Sequence, residues 1–227
     1  MKAAEGVRQM FDGVIFDMDG LMVDTEPVWM ECWEPALAHF GYAVPPGLAE
    51  AVRGSAGDTA SRIIHEMVSP QLDTKAFWAY FSSLAEEIFS KGVEKKPGLD
   101  ELLAFLGEKG VPCAVASSSS KQGIERNLRF IGALDRFAAV VPSSEVAHAK
   151  PAPDVFLEAA RRLGTEPART MVLEDSFNGV RAGAAGGFFT VMVPDLARPD
   201  DEIRSVASRV CSSLLEVRDL LAQGAMG

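Results

Sequence analysis

The segment at residues 11–17, FDGVIFD, predicts a short apolar β-strand that ends at Asp17 and is followed by a glycine-containing turn. Beyond this turn the pattern becomes helical. At residues 27–40 large apolar side chains recur at the spacing of one helix face, and further helices are predicted at residues 58–68 and 74–91. Because this block shows no convincing strand pattern, the partners of the first strand must come from later in the chain.

After the segment Lys96-Pro97-Gly98, strand and helix patterns alternate. The predicted strands lie at residues 111–116, 138–141, 170–173 and 189–193, and the predicted helices lie at residues 99–109, 123–131, 153–163 and 176–185. Strands separated by helices of ~10–15 residues indicate βαβ units and a parallel sheet. We therefore predict an α/β fold: a doubly wound, Rossmann-like parallel sheet formed by residues 1–24 and 93–227, with an α-helical domain inserted at residues 25–92.

Composition limits the partners of the protein. The chain of 227 residues has a formal net charge of -10 and no conspicuous Lys/Arg cluster, which makes nucleic acids and anionic membranes poor partners. No apolar segment approaches the ~18 residues of a membrane span, and the N-terminal residues lack the pattern of a signal peptide. We therefore expect a cytoplasmic protein, monomeric by default.

The same acidity sets a requirement for any phosphate-binding site. Two unit charges 4 Å apart interact by ~4 kcal/mol at an effective dielectric constant of ~20. Carboxylates cannot be placed against a phosphate at that cost unless cations lie between them. A phosphate-processing enzyme of this composition must therefore contain a metal site and at least one lysine close to the substrate.

Polar residues follow several predicted strands at the point where each strand ends. In open parallel sheets, ligands bind beyond the carboxyl ends of the strands. The residues at this edge are Asp17 and Asp19 after the first strand, Ser117 and Ser118 after the second, Lys150 in a loop that enters a helix, and Glu174 and Asp175 after the strand at 170–173. We predict that these carboxylates, hydroxyls and one amine form a single site.

Each of these residues also has an ordinary structural explanation. Asp17 and Asp19 precede a glycine and are residue types that turns favour. Ser117 is a good helix cap, Lys150 could be solvated, and the Glu-Asp pair could favour a helix N-terminus. These explanations are reasonable one by one, but together they require every group to reach the same edge of the sheet by chance.

This combination of groups favours magnesium-dependent phosphoryl transfer. Hard oxygen ligands suit Mg²⁺, and the three histidines have no metal-ligand spacing. A carboxylate such as that of Asp17 can attack phosphorus and form an aspartyl-phosphate. Phosphoryl transfer depends mostly on positioning and charge neutralisation, which Mg²⁺, Lys150 and a hydrogen bond from Ser117 would supply.

Four segments of the chain, in this order, resemble the motifs of the haloacid dehalogenase superfamily. The first motif is matched by DMDGLMVDTE at residues 17–26, and the second by AVAS at residues 114–117. The third is matched by KPAPD at residues 150–154, and the fourth by LEDS at residues 173–176 with the glycine- and alanine-rich segment that follows it. The predicted helical insertion resembles the cap domain of the β-phosphoglucomutase-like or phosphatase-like branch of this superfamily.

The resemblance implies a role for each residue. Asp17 would be the nucleophile and a metal ligand, and Asp19 would be the general acid/base and would offer its main-chain carbonyl to the metal. Asp175 would complete the protein ligands to Mg²⁺, with Glu174 adjacent to them and acting through water. The residues implied to hold the phosphoryl group of the substrate are Ser117, Ser118 and Lys150.

The predicted function is therefore a magnesium-dependent phosphatase for small phosphomonoesters, with sugar phosphates among the candidate substrates. A sugar phosphomutase is the alternative enzyme. In an ungapped comparison, Trp29 stands where the mutase pattern has a cap histidine, and Gly57 stands in place of a cap arginine, although Arg53 or Arg62 could supply a charge. A mutase needs polar cap groups that grip a second phosphate, so these differences favour hydrolysis.

Other classes of protein fit this pattern less well. Halide-removing members of the superfamily work without magnesium, and Asp19 and the Glu174-Asp175 pair argue against that branch. A phosphorylatable receiver domain also combines aspartates, a hydroxyl and a lysine, but it carries its phosphoacceptor on a later strand and lacks a helical insertion. A non-catalytic scaffold would require the whole constellation to be accidental.

The inserted segment is rich in aromatic residues. Trp29, Trp33, Trp78 and Phe81 could line a pocket or form the core of the inserted domain. Their recurrence at helical spacing favours the core.

Overall fold

The computed structural model describes residues 10–52 and 57–226. The chain divides into two units. One contains the residues up to Asp24 together with those from Glu94 onward, and the other is Thr25–Val93. Arg53, which bears on the comparison with mutases, lies outside the described residues.

The first unit is built on a parallel sheet. The strands are β1 (Gly13–Phe16), β2 (Val23–Asp24), β3 (Glu94–Lys95), β4 (Cys113–Ser117), β5 (Ala139–Pro142), β6 (Thr170–Glu174), β7 (Phe189–Met192) and β8 (Arg209–Val210). Within the described residues, six of them form one sheet in the order β5-β4-β1-β6-β7-β8, and every neighbouring pair is parallel. The short strands β2 and β3 pair with each other in antiparallel fashion.

Helices flank this sheet, so the predicted fold class is confirmed. The helices of the first unit are α5 (Leu99–Lys109), α6 (Lys121–Phe130), α7 (Asp154–Leu163), α8 (Phe177–Ala185), α9 (Asp201–Val206) and α10 (Leu214–Gln223), with 3₁₀ turns at Leu134–Arg136, Ser143–Glu145 and Pro167–Arg169. The apolar face of α7, with Val155 and Phe156, is buried in one cluster with Ile15, Ala114 and Val172 of the central strands. None of the helices that the structure describes is both long and apolar enough to cross a bilayer.

The central strand β1 lies where the strand order changes direction. Ile15 pairs with Ala114 of β4 on one side and with Val172 of β6 on the other. The chain thus places β4 and β5 on one side of β1 and the later strands on the other. A doubly wound sheet opens a crevice at such a point, beyond the carboxyl ends of its strands. The ends of β1, β4 and β6 therefore meet at the edge where the sequence predicts a site.

Some element boundaries differ from those predicted. The helix predicted at residues 123–131 begins earlier, at Lys121, because the hydroxyl of Ser120 accepts a hydrogen bond from the main-chain N–H of Gly123 at 3.1 Å and caps the helix. The two-residue strands β2, β3 and β8 and the short helix α9 were not predicted, because elements of that length show no measurable period in the sequence.

Every regular element that the structure describes in the second unit is a helix. Its helices are α1 (Glu26–His39), α2 (Leu48–Val52), α3 (Gly57–Met67) and α4 (Thr74–Phe89). Trp33 and Phe81 are buried with ring centroids 4.8 Å apart. Trp29 and Trp78 are partly buried and pack against the same cluster, with Trp29 5.3 Å from Phe89 between ring centroids. These four aromatic residues thus belong to the core of the unit, as predicted.

Candidate active site

Three strand ends bring predicted site residues together in the first unit. Asp17 directly follows β1, Ser117 is the last residue of β4, and Glu174 is the last residue of β6. The main-chain N–H of Asp17 donates to the carbonyl of Leu173 at 3.0 Å, so the ladder between β1 and β6 continues as far as Asp17. All three polar residues are buried. Their backbones are therefore fixed by the sheet and not by a loop.

Lys150 reaches this edge from the loop that precedes α7. Its ammonium group donates to Asp17 Oδ1 at 2.5 Å, to Glu174 Oε1 at 2.7 Å and to the carbonyl of Ala116 at 3.2 Å. The side chain is only 5% exposed, and Nζ lies 4.6 Å from the ring centroid of Phe156. Lys150 is therefore a buried cation that joins two strand ends, and the alternative of a solvated surface lysine is wrong.

An acidic cluster surrounds the Lys150 ammonium group. Asp17, Glu174 and Asp175 each present a carboxylate oxygen, and these three oxygens lie within 4.8 Å of one another. Glu174, which the resemblance implies acts through water, is itself one of the three residues of this cluster, so its carboxylate can also face a metal ion directly. The second oxygen of Glu174 accepts hydrogen bonds from the main-chain N–H and the hydroxyl of Ser176, at 2.7 and 2.9 Å, which fixes the orientation of the carboxylate.

Two glycines make room for these carboxylates. A Cβ atom at Gly179, in the first turn of α8, would lie 1.7 Å from Glu174 Oε1. A Cβ atom at Gly20 would lie 2.3 Å from Asp175 Oδ2, and Gly20 also has a φ of +85°, which L side chains rarely adopt. Larger residues at either position would push a carboxylate out of the cluster.

The electrostatics of the cluster call for a further cation. Burial raises the pKa of Asp17, an effect that Lys150 opposes and the Glu174 charge reinforces. Burial and the charges of Glu174 and Asp17 likewise raise the pKa of Asp175 well above its usual value. Burial acts to lower the pKa of Lys150, but the charges of Asp17 and Glu174 outweigh it, and the pKa is raised. One ammonium group faces three carboxylates here, and such hard oxygen donors fit Mg²⁺.

Asp19 faces the end of β4 and is held there by two serines. Its Oδ2 atom accepts hydrogen bonds from the hydroxyl of Ser119 at 2.8 Å and from the hydroxyl of Ser117 at 3.1 Å. Burial raises the pKa of Asp19, and the two hydrogen bonds partly offset this rise. Its carboxylate is not a member of the three-residue acidic cluster found among residues 10–52 and 57–226.

Ser119 is not among the site residues predicted from the sequence, which has Ser117 and Ser118 as the phosphate-binding hydroxyls. Ser118 is exposed at the strand end, whereas Ser119 points to Asp19. The chain bends at Ser118 and Ser119, directly beyond β4, so the alternation of side chains along the strand does not extend to them. The four-serine run at residues 117–120 therefore contains no signal that identifies which hydroxyl turns toward Asp19.

Comparisons with known proteins agree with this geometry. A family model described as haloacid dehalogenase-like hydrolase matches residues 14–193. Fructose-1-phosphate phosphatase YqaB from Escherichia coli is 33% identical, over 82% of this chain and 97% of that protein. A bifunctional riboflavin kinase/FMN phosphatase from Arabidopsis thaliana is 32% identical over 96% of this chain, and the chain spans 57% of the length of that plant protein.

A solved structure shows the same fold. The crystal structure of CbbY from Rhodobacter sphaeroides in complex with phosphate superposes with a TM-score of 0.79 and 25% identity, covering 92% of this chain and 96% of that one. Both curated relatives carry the word phosphatase in their names, and each name includes a small phosphorylated substrate. The matched residues include every strand end that carries a group of the site, and the chain therefore belongs to the haloacid dehalogenase-like hydrolase family of enzymes.

Proposed function

We propose that the protein is a magnesium-dependent phosphatase that hydrolyses small phosphomonoesters, sugar phosphates among them, through an aspartyl-phosphate on Asp17. The observation that carries the proposal is the buried contact of Asp17 with Lys150, inside a cluster that also contains Glu174 and Asp175. A buried carboxylate at the switch point of the sheet, with a fixed cation beside it, has the position and the charge balance that a nucleophile toward phosphate needs.

Magnesium would be held by Asp17, Glu174 and Asp175, together with the main-chain carbonyl of Asp19. When bound, it would neutralise charge on the phosphoryl group and on the carboxylates, which would otherwise repel the substrate. The remaining positive charge comes from the chain itself. Lys150 is already in contact with Asp17 at 2.5 Å, and its ammonium group would also attract a phosphoryl oxygen.

Hydrolysis would proceed in two steps on this framework. In the first, a carboxylate oxygen of Asp17 attacks phosphorus, the bond from phosphorus to the ester oxygen breaks, and Asp19 gives its proton to the departing alcohol. In the second, Asp19 takes a proton from a water molecule whose oxygen attacks the phosphorus. The bond between phosphorus and Asp17 then breaks, inorganic phosphate leaves, and both side chains return to their starting protonation states. The raised pKa of Asp19 suits its role as a proton donor in the first step.

A phosphomutase would pass through the same intermediate but would return the phosphoryl group to a sugar. Such an enzyme needs polar groups that hold the second phosphate of the intermediate sugar bisphosphate. Trp29, which stands where the mutase pattern has a histidine, packs into the aromatic core of its unit, stacked on Phe81 with 6.1 Å between ring centroids. Arg62 is paired with Glu66 at 3.0 Å on an exposed helix face. These placements favour hydrolysis over isomerisation.

The test is a panel of sugar and nucleotide monophosphates in which inorganic phosphate and isomerised sugar phosphate are measured in the same reaction. We expect phosphate release that requires Mg²⁺, is abolished by a chelator, and is lost in Asp17→Asn, which keeps the size of the side chain but removes its charge. For glucose phosphates with a bisphosphorylated primer, we expect release of phosphate to exceed isomerisation. Isomerisation that is much faster than release would make the protein a mutase, and full activity in excess chelator would exclude the metal site.

A further inference from the structure

The two serines that hold Asp19 cannot both keep doing so when a substrate is bound. Ser117 and Ser119 donate to the same carboxylate oxygen, Oδ2, at 3.1 and 2.8 Å. A serine hydroxyl has one hydrogen to donate. If Ser117 donates to a phosphoryl oxygen, as the proposed function requires, its hydrogen is no longer available to Asp19. Ser119 then becomes the donor that still restrains the carboxylate.

The backbone around Ser119 is held on both sides. Its main-chain N–H donates to the hydroxyl oxygen of Ser117 at 3.0 Å, and the carbonyl of Ser117 accepts from the hydroxyl of Ser143 at 3.2 Å. The next residue, Ser120, caps α6 through Gly123. Ser119 is thus fixed between a strand end and a helix start, so its hydroxyl can hold the Asp19 carboxylate in place.

We propose that Ser119 is a positioning residue for the general acid/base Asp19, an inference that rests on the proposed phosphatase function. Its hydrogen bond occupies Oδ2 and turns the other oxygen, Oδ1, toward the reacting atoms. Because Oδ2 accepts hydrogen bonds from hydroxyl donors, the transferable proton resides on Oδ1. Ser119 holds the Asp19 carboxylate in that orientation through both proton transfers, from Oδ1 to the leaving oxygen and from water back to Oδ1. Ser117 meanwhile donates its hydrogen bond to the phosphoryl group.

The variants Ser119→Ala, Ser119→Thr and Ser117→Ala separate these roles. Ser119→Ala should lower kcat by roughly 10- to 100-fold, part of the ~10²–10⁴-fold that general acid–base catalysis supplies, while KM changes by less than about threefold. Ser119→Thr retains the hydroxyl and should recover most of the rate. Ser117→Ala should raise KM as well as lower kcat, because it removes a contact to the phosphoryl group. Ser205→Ala is the matched control, since Ser205 is exposed and donates to the carbonyl of Glu202 in α9.

The leaving group provides a readout that a merely structural role would not affect. An alkyl phosphate releases an alkoxide that must be protonated, whereas p-nitrophenyl phosphate releases a stable phenolate that needs little help. The loss of kcat/KM in Ser119→Ala should therefore be at least about fivefold larger for the alkyl phosphate, in line with general acid catalysis of that step. Thermal unfolding of each variant shows whether the fold is retained.

Four results would overturn the inference. The first is a Ser119→Ala variant with wild-type kcat. The second is a variant whose defect lies in KM alone, which would make Ser119 a substrate contact. The third is an equal loss for both leaving groups, and the fourth is no recovery in Ser119→Thr. Failure of the proposed function is distinct from all of these, because the wild-type protein would then release no phosphate from either substrate.

Discussion

Replacing Lys150 by methionine removes the ammonium group from the acidic cluster and keeps most of the side-chain stem that passes Phe156. Nζ lies 2.5 Å from Asp17 Oδ1 and 2.7 Å from Glu174 Oε1, and both partners are buried. At an effective dielectric constant of ~20, each of these pairs is attractive by about 6 kcal/mol before the cost of desolvation is subtracted. The variant is left with two buried carboxylates that have lost their cation.

We expect Lys150→Met to lower the free energy of unfolding by about 3–5 kcal/mol in the absence of metal, the usual cost of removing one partner from a buried ion pair. For a chain of this size, about 1 kcal/mol shifts Tm by ~2–4 °C, so Tm should fall by roughly 6–20 °C. Mg²⁺ should recover part of the loss, because it would bind the same carboxylates. Phosphatase activity should fall with or without that recovery.

The assay is thermal and urea unfolding followed by circular dichroism, in chelator and in Mg²⁺. Lys121→Met is the matched control, because Lys121 forms an exposed ion pair with Glu145 at 3.4 Å and should cost no more than ~1 kcal/mol. A metal-free Lys150→Met protein that unfolds at the same temperature as the control would refute the buried charge network as described.

Three other substitutions or conditions test separate parts of the structure. Gly179→Ala should raise the Mg²⁺ concentration needed for half-maximal activity by at least about tenfold, because its Cβ would lie 1.7 Å from Glu174 Oε1. A titration of activity with Mg²⁺ measures this, and an unchanged titration would contradict the crowding argument. Trp33→Ala should lower the free energy of unfolding by about 3–5 kcal/mol, since Trp33 is buried in the aromatic core of the helical unit. Urea unfolding measures this loss, and a loss below ~1 kcal/mol would show that Trp33 does not belong to that core. Mg²⁺ should raise the Tm of the wild-type protein and not that of Asp175→Asn. Thermal unfolding at increasing Mg²⁺ concentration measures this, and an equal rise in both proteins would show that Asp175 is not a metal ligand.

The overall fold follows from sequence because its signals are long or strongly patterned. The helix predicted at residues 99–109 is observed as Leu99–Lys109, and the strand predicted at residues 170–173 is observed as Thr170–Glu174. Apolar strands separated by helices of regular length leave few topologies open. The pairing of β2 with β3 could not be predicted, because a two-residue strand carries no period and its register depends on where the chain returns.

The sequence predicts which site residues lie together at the strand ends, but it does not predict the positions of those held by loops. Parallel strands bring their last residues to one edge, which is why Asp17 and Glu174 could be placed together. The position of Lys150 depends on a loop, so its burial against both carboxylates became visible only in three dimensions. The contact of Ser119 with Asp19 could not be predicted either, because a run of identical residues does not show which hydroxyl turns toward Asp19.

The central claim is that the phosphoryl group passes through Asp17. The most direct measurement is to quench the enzyme with acid during turnover of a small phosphomonoester in Mg²⁺, digest it, and search for phosphorylated peptides by mass spectrometry. The account predicts one phosphoryl group on the peptide that contains Asp17, present during turnover and absent both after the substrate is exhausted and in Asp17→Asn. Turnover with the phosphoryl group on a different residue, or an Asp17→Asn protein that hydrolyses substrate at the wild-type rate, would contradict it.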